Sequence, residues 1–367
     1  MKSLIDYYRP FLPLPTDALA ISLGEGQTPL LPLPKLVRLL GKDIELYAKF
    51  EGMNPTGSFK DRGMTMAVSK ALSDGAKAII CASTGNTSAS AAAYGARAGM
   101  AVFVVLPENK IASGKMAQAL AAGAIVLAIS GNFDDGMQLV QEVSSRYPIA
   151  LVNSVNPYRL QGQKTAAFEV LEELGAPPDY HFLPVGNAGN ISAYWLGYCE
   201  ATGIDPGFAV DSQESYALMQ RYQGSLPKMI GIQAQGAAPF IQGAFVKDPE
   251  TVATAIRIGA PQSWDKALVV QQRSKGWFAA VSDEEILAAQ KLLCESEGIF
   301  CEPASAASIA GLINAIQKGQ IEDGQKIVCT LTGHGLKDPE AISKGAILYL
   351  QPEFSVIEQA ILEHLPT

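Results

Sequence analysis

The chain of 367 residues is poor in the groups that several large functional classes depend on. It has three histidines (His181, His334 and His364), none at ligand spacing from another. No carboxylate cluster stands in for them, so no metal is expected. The five cysteines (Cys81, Cys199, Cys294, Cys301 and Cys329) are odd in number, widely spaced and free of any C-x-x-C pair. That pattern sets aside a disulfide framework and favours buried thiols in a reducing compartment. Positive charge is scarce: 28 Lys and Arg stand against 36 Asp and Glu, for a net charge of -8. Such a chain has no general attraction to nucleic acid or anionic lipid, so any affinity for phosphate must be local. No apolar run approaches the ~20 residues of a membrane helix. Charges and a proline interrupt Met1 to Pro10 before a signal-peptide core can form. Internal repeats and low-complexity tracts are missing as well. These absences predict a soluble, cytoplasmic protein with no nucleic-acid partner and no membrane partner.

What the chain does contain is core. Hydrophobic residues make up 48% and charged residues 17%, a balance typical of well-packed globular proteins. The length exceeds what one core usually supports, so two domains are expected. Residues 44–51 alternate, with Ile44, Leu46, Ala48 and Phe50 on one face and Glu45, Tyr47, Lys49 and Glu51 on the other, as in a half-buried strand. Continuous apolar runs follow at 78–82, 101–106, 124–129, 149–152, 182–185, 229–233 and 327–331. Amphipathic stretches such as 134–147, 160–174 and 284–297 lie between them. Doubly buried strands alternating with helices predict an α/β protein with two open, twisted, mostly parallel sheets flanked by helices. A smaller α/β domain is placed at 55–157, and a larger one at 1–54 with 158–367. The segment 203–228 is rich in Gly, Pro, Ser, Gln and Asp and reads as an insertion, with a helix only from Ser215 to Tyr222. The tail after Leu350 reads as surface.

Five segments carry chemistry. In Asn54-Pro55-Thr56-Gly57-Ser58-Phe59-Lys60-Asp61-Arg62-Gly63, Pro55 and Gly57 enforce a turn, Ser58 is positioned to cap a helix, and Lys60 falls in its first turn. The positive end of the helix dipole favours the neutral amine, the form that attacks an aldehyde. A solvated lysine paired with Asp61 is the plainer alternative. Ser83-Thr84-Gly85-Asn86-Thr87-Ser88-Ala89-Ser90 follows a strand and opens a helix. Parallel sheets gather ligands at such strand ends, although an elaborate cap would also explain the hydroxyls. Pro184-Val185-Gly186-Asn187-Ala188-Gly189-Asn190 is a glycine turn between strand and helix. It lacks the G-x-G-x-x-G register of a dinucleotide site and suits one phosphate. Asn153-Ser154-Val155-Asn156-Pro157-Tyr158-Arg159 gathers amide, hydroxyl and guanidinium groups, either as a second anion pocket or as an Asn/Pro turn with a surface arginine. Thr330-Leu331-Thr332-Gly333-His334-Gly335-Leu336-Lys337-Asp338 closes another strand, and its lone His334 reads as structural.

In order and spacing, these segments resemble the tryptophan-synthase-β-like (fold type II) enzymes of pyridoxal 5'-phosphate, and within them the threonine synthases. The resemblance begins at Gly24-Glu25-Gly26-Gln27-Thr28-Pro29-Leu30 and extends to Glu302-Pro303-Ala304-Ser305-Ala306-Ala307-Ser308 and Thr332–Asp338. It implies that Lys60 holds the cofactor as a Schiff base and acts as the catalytic residue. Asn86 would meet the cofactor's phenolic oxygen. Gly186, Asn187, Ala188, Gly189 and Asn190 would hold its phosphate, and Thr332 the pyridine nitrogen. The implied substrate is O-phospho-L-homoserine, bound by Ser83, Thr87, Asn153, Ser154 and Arg159, and the implied assembly a homodimer. Other enzymes of that fold, such as serine/threonine dehydratases and cysteine synthases, remain the near alternatives. A non-catalytic binding protein on the same fold is the distant one. The 203–228 segment is longer than short threonine synthases require, and is a lid, a subunit contact or a neutral insertion.

Overall fold

The computed structural model describes residues 2–108, 113–131, 133–212, 216–339 and 348–364. Its strands are β1 Leu30–Pro32, β2 Glu45–Phe50, β3 Ala78–Ala82, β4 Ala101–Pro107, β5 Ile125–Ile129, β6 Ile149–Leu151, β7 Tyr180–Pro184, β8 Lys228–Ala234, β9 Trp277–Val281 and β10 Lys326–Leu331. They form a four-stranded sheet of order β5-β4-β3-β6 and a six-stranded sheet of order β1-β2-β10-β7-β8-β9. All the pairings are parallel except β1 with β2. The central strands β3 and β7 are buried along their whole length, which is why they read as unbroken apolar runs and not as alternation.

Helices cover both faces of each sheet. Met64, Val68 and Ala71 of the Lys60–Ser73 helix and Ala91 of the Asn86–Arg97 helix pack on one face of the smaller sheet. Met137 and Val140 of the Phe133–Arg146 helix pack on the other. In the larger sheet the Pro303–Gln317 and Asp283–Glu297 helices cover one side. The Thr165–Leu174, Gly189–Thr202 and Trp264–Ser274 helices cover the other. Each parallel strand ends on the same edge of its sheet, and the two edges meet. The Phe59 backbone N–H donates to the Thr332 carbonyl at 3.0 Å, and Asn86 reaches Glu302 from the opposite sheet.

Several expectations are corrected. The stretch 160–174 is two helices, Pro157–Gln163 and Thr165–Leu174, with Lys164 at the joint. Of the helix expected from Ser215 to Tyr222, Ser215 lies outside the described residues, and 216–222 are not helical. They run as an extended strap whose backbone bonds elsewhere, Ala217 N–H to the Pro10 carbonyl at 2.9 Å and Gln220 N–H to the Glu200 carbonyl at 3.0 Å. The polar face of β2 is open only at its start, where Glu45 is exposed, because Lys49, and Glu51 just past the strand, are fully buried. They are paired there in a cluster with Arg62 and Glu169. Strands β1 and β9 carried no signal strong enough to be read. The tail contains a helix, Phe354–His364, that leaves Phe354, Ile361 and Leu362 exposed.

Candidate active site

Lys60 is the first residue of its helix. Gly57, at φ +84°, makes the turn before it, a conformation that a side chain would strain. Ser58 does not cap the helix: Phe59 occupies that position without a side-chain bond, and the buried Ser58 hydroxyl has no partner. Nor does Lys60 pair with Asp61. That carboxylate turns inward and accepts from the Thr56 N–H (2.7 Å), the Thr56 hydroxyl (2.6 Å) and the Ser90 hydroxyl (2.6 Å). The Lys60 amine is instead pulled down to about 7, first by burial and then by the positive charge of Arg159, with Glu302 opposing. Near neutrality a large share of such amines, about half at a pH equal to the pKa, is uncharged and able to attack a carbonyl.

Three strand ends close around it. Asn86 opens the Asn86–Arg97 helix, and its Nδ2 donates to both oxygens of Glu302 at 3.1 and 3.3 Å. Ser83 and Thr87 are half-buried beside it, the Ser83 hydroxyl accepting from the Gly85 N–H at 3.2 Å. On the larger sheet, β7 leads into the 186–190 loop and then the Gly189–Thr202 helix. Ala188 sits there at φ +62°, a left-handed conformation that costs energy for any residue with a Cβ and turns the loop sharply. A Cβ on Gly186 would come within 3.1 Å of the Ile256 Cα, whereas Gly189 opens onto free space out to the Ser263 hydroxyl at 3.9 Å. The Nδ2 of Asn190 is buried without a partner. Backbone donors at a helix start, together with an amide unclaimed among the described residues, suit one phosphate. Thr332, 5% exposed, places its hydroxyl 2.9 Å from that of Ser305.

The 153–159 turn leaves fewer groups free than the expected second anion pocket would use. Arg159 is buried, and only Nη1 is engaged, donating to the Val152 carbonyl at 3.2 Å. Nε and Nη2 have no partner among the described residues. Burial holds its pKa down at about 10, with Cys81 and Asp61 opposing. Asn153 is committed elsewhere: its amide accepts from the Ala82 N–H (2.9 Å) and donates to the Ala82 carbonyl (2.8 Å). It therefore pins the end of β6 to the end of β3. The Ser154 hydroxyl donates to the side chain of Gln262, and the Gln262 N–H donates to Asn187 Oδ1 at 3.4 Å. One residue thus links the 153–159 and 186–190 loops.

Sequence reasoning gave no role to Gln262, which lies in a stretch without motif character. It likewise gave none to Glu302, although that residue belongs to a segment already singled out. Glu302 is buried, and desolvation raises its pKa against the opposing Asn86 hydrogen bond and the charge of Lys337. Lys337 reaches across to Gln118 of the smaller sheet's helix. The His334 Nδ1 accepts from the Leu336 N–H, and its ring stacks on Phe50. Among the described residues no group of His, Cys, Asp and Glu side chains is placed to hold a metal. No helix among them is long and apolar enough to cross a membrane. An amine lowered to about 7, a glycine loop with an unclaimed amide, and the Thr332–Ser305 hydroxyl pair at a neighbouring strand end fit a planar aldehyde cofactor bearing one phosphate.

Comparison with known proteins agrees with that fit. Residues 21–333 match the family model described as pyridoxal-phosphate dependent enzyme. The chain is 51% identical to a threonine synthase of Synechocystis over 98% of its length and 91% of that protein's. It is 50% identical to one of Halalkalibacterium halodurans (99% and 97%) and 54% identical to one of Mycobacterium bovis (93% and 90%). Among solved structures it shares its fold with a threonine deaminase of Solanum lycopersicum at TM-score 0.70 and 20% identity, covering 98% of this chain and 88% of that one. A maize serine racemase matches at TM-score 0.67 and 19% identity, covering 92% of each chain. The chain therefore belongs to the fold type II pyridoxal-phosphate-dependent enzymes and, within them, to the threonine synthases.

Proposed function

We propose that this enzyme converts O-phospho-L-homoserine and water to L-threonine and inorganic phosphate. The observation that carries the reading is the Arg159 guanidinium, buried and near enough to Lys60 for its charge to lower that amine, with Nε and Nη2 unclaimed among the described residues. A buried cation with open donors is costly unless something negative completes it. The cofactor phosphate already has the 186–190 loop, so a second anion must come with the substrate. Relatives about half identical along nearly the whole chain, all threonine synthases, point the same way.

Pyridoxal phosphate, when bound, supplies a conjugated ring that draws off the electron pair released at the substrate's α carbon. The rest falls to the chain. Lys60 would hold the cofactor through its amine and, once freed by the substrate, would carry protons at the α and β carbons. A pKa near 7 suits it to both taking and giving a proton. Asn86 would serve the cofactor's phenolic oxygen, and Thr332 would meet the ring nitrogen through a neutral hydroxyl. Gly186, Asn187, Ala188, Gly189 and Asn190 would hold the cofactor phosphate. Arg159, with Ser83, Thr87 and Ser154 around it, holds the γ-phosphate and stabilises the charge it gathers on leaving. Asn153 contributes by keeping β3 and β6 in register at the pocket floor. Residues 55–157 serve as the smaller domain, with 1–54 and 158–367 as the larger. The enzyme works as a homodimer in the cytoplasm, a setting in keeping with five free cysteines.

The test is phosphate release from phosphohomoserine with amino-acid analysis of the product. Equal phosphate and threonine are expected. Phosphate without threonine would refute the hydration half, and activity on serine or cysteine precursors alone would hand the site to a dehydratase or cysteine synthase.

A further inference from the structure

The pocket around Arg159 is held from behind by the segment that sequence could not interpret. Arg159 lies on the Pro157–Gln163 helix. That helix is seated against the Lys60–Ser73 helix so closely that a Cβ on Gly162 would stand 2.0 Å from the Arg62 carbonyl oxygen. Its far side meets a buried polar cluster. Lys164, at the joint with the next helix, forms an ion pair with Glu200 at 2.7 Å, and both side chains are almost fully buried. Tyr216, from the 203–228 strap, completes the cluster. Its hydroxyl donates to Glu200 Oε1 at 2.9 Å and accepts from Gln161 Nε2 at 3.1 Å. Its ring covers the Lys164 ammonium, 4.0 Å from Nζ to the centroid. The other end of the Gln161 amide, Oε1, is buried without a partner, so Tyr216 is its one hydrogen-bonded anchor among the described residues.

We propose that Tyr216 is a positioning residue for the anion pocket: its hydroxyl, held between Glu200 and Gln161, sets the seat of the Pro157–Gln163 helix and so the aim of the Arg159 guanidinium. The proposal rests on the reading that Arg159 binds the substrate's γ-phosphate. It gives the strap a task other than lid or subunit contact. The helix is short and pinned on one side by backbone contact, so a loss on the other side turns or shifts it as a unit. A displacement well under an ångström alters how a planar, bidentate donor meets phosphate.

The experiment is a double-mutant cycle on the holoenzyme, with KM and kcat for phosphohomoserine, the inhibition constant of inorganic phosphate, retained pyridoxal phosphate and the melting temperature all measured. Tyr216→Phe keeps the ring and removes only the hydroxyl. It is expected to raise KM and the phosphate inhibition constant together, by about tenfold, with kcat little changed and the cofactor retained. In an Arg159→Ala background the same change should leave kcat/KM where it was, because there is no guanidinium left to aim. Tyr216→Phe with unaltered KM, or with an equal loss in both backgrounds, overturns the proposal, even if the melting temperature falls. If Arg159→Ala itself leaves KM unchanged, the phosphate-pocket reading fails first and takes this inference with it. Should Tyr216→Phe not fold, Gln161→Met breaks the same link from the helix side, and an unaltered KM there is equally fatal.

Discussion

Arg62 and Arg159 are both buried, on helices packed in contact, and their surroundings are opposite. Arg62 is saturated. Its Nε and Nη2 reach Glu51 at 2.6 and 2.9 Å, and its Nη1 and Nη2 reach Glu169 at 2.6 Å each. Lys49 adds a further bond to Glu169 at 2.8 Å. The two carboxylates drive the Arg62 pKa well above its ordinary value against the desolvation that opposes them. Glu169, which burial would push up, is held down at about 2 by Arg62 and Lys49. Arg159 has one carbonyl and two idle nitrogens. The difference separates a charge that has found its counter-ions within the chain from one left incomplete, which the proposed function assigns to a ligand.

Arg62→Met gives the largest expected effect. It strands Glu51 and Glu169 in the interior and should lower folding stability by about 3–5 kcal/mol, read by chemical denaturation. Stability within error of wild type would end the distinction. Arg159→Met is the matched opposite. It should cost on the order of 100-fold in kcat/KM for phosphohomoserine, while folding stability holds or rises because a half-satisfied charge has been removed. Inorganic phosphate should raise the melting temperature of the wild type and not of this variant. Asn153→Ala should fall between the two. Losing the paired bonds to Ala82 is expected to lower stability by about 1–3 kcal/mol, with KM following only as far as the pocket floor loosens. A large KM change at full stability would return Asn153 to the substrate's direct ligands.

The smallest effect is a pH slope. The Lys60 amine is lowered from 10.5 to about 7 in the folded chain, so between those values the unfolded chain binds a proton that the folded chain does not. Stability of the cofactor-free protein should therefore rise with pH across that window. Replacing Lys60 by Met should flatten this part of the curve. Parallel curves for the two proteins would mean that the amine is not held neutral by its site.

Much of this site could be read along the chain because its parts are local. Lys60 follows a turn of Pro55 and Gly57, and its helix start is a matter of neighbouring residues. The glycine loop at 186–190 and the strand before it are likewise one continuous signal. Reading failed where the outcome depended on distant partners. Lys49 and Glu51 alternate like an exposed face, yet they are buried because Arg62 and Glu169 meet them there. Asn153 has the chemistry of a ligand, and the Ala82 backbone takes it. Tyr216 lies in a segment whose composition suggests a loose loop, yet its hydroxyl is fixed by Glu200 and Gln161.

Sequence alone determined the kind of protein: short-range periodicity specifies buried parallel strands, and turn chemistry specifies where a lysine and a phosphate cradle begin. Tertiary structure alone decided which buried polar groups are satisfied and which are left open. Hydrogen bonding and charge pairing are settled between residues far apart in the chain, and a group's reactivity depends on what remains after that pairing is complete.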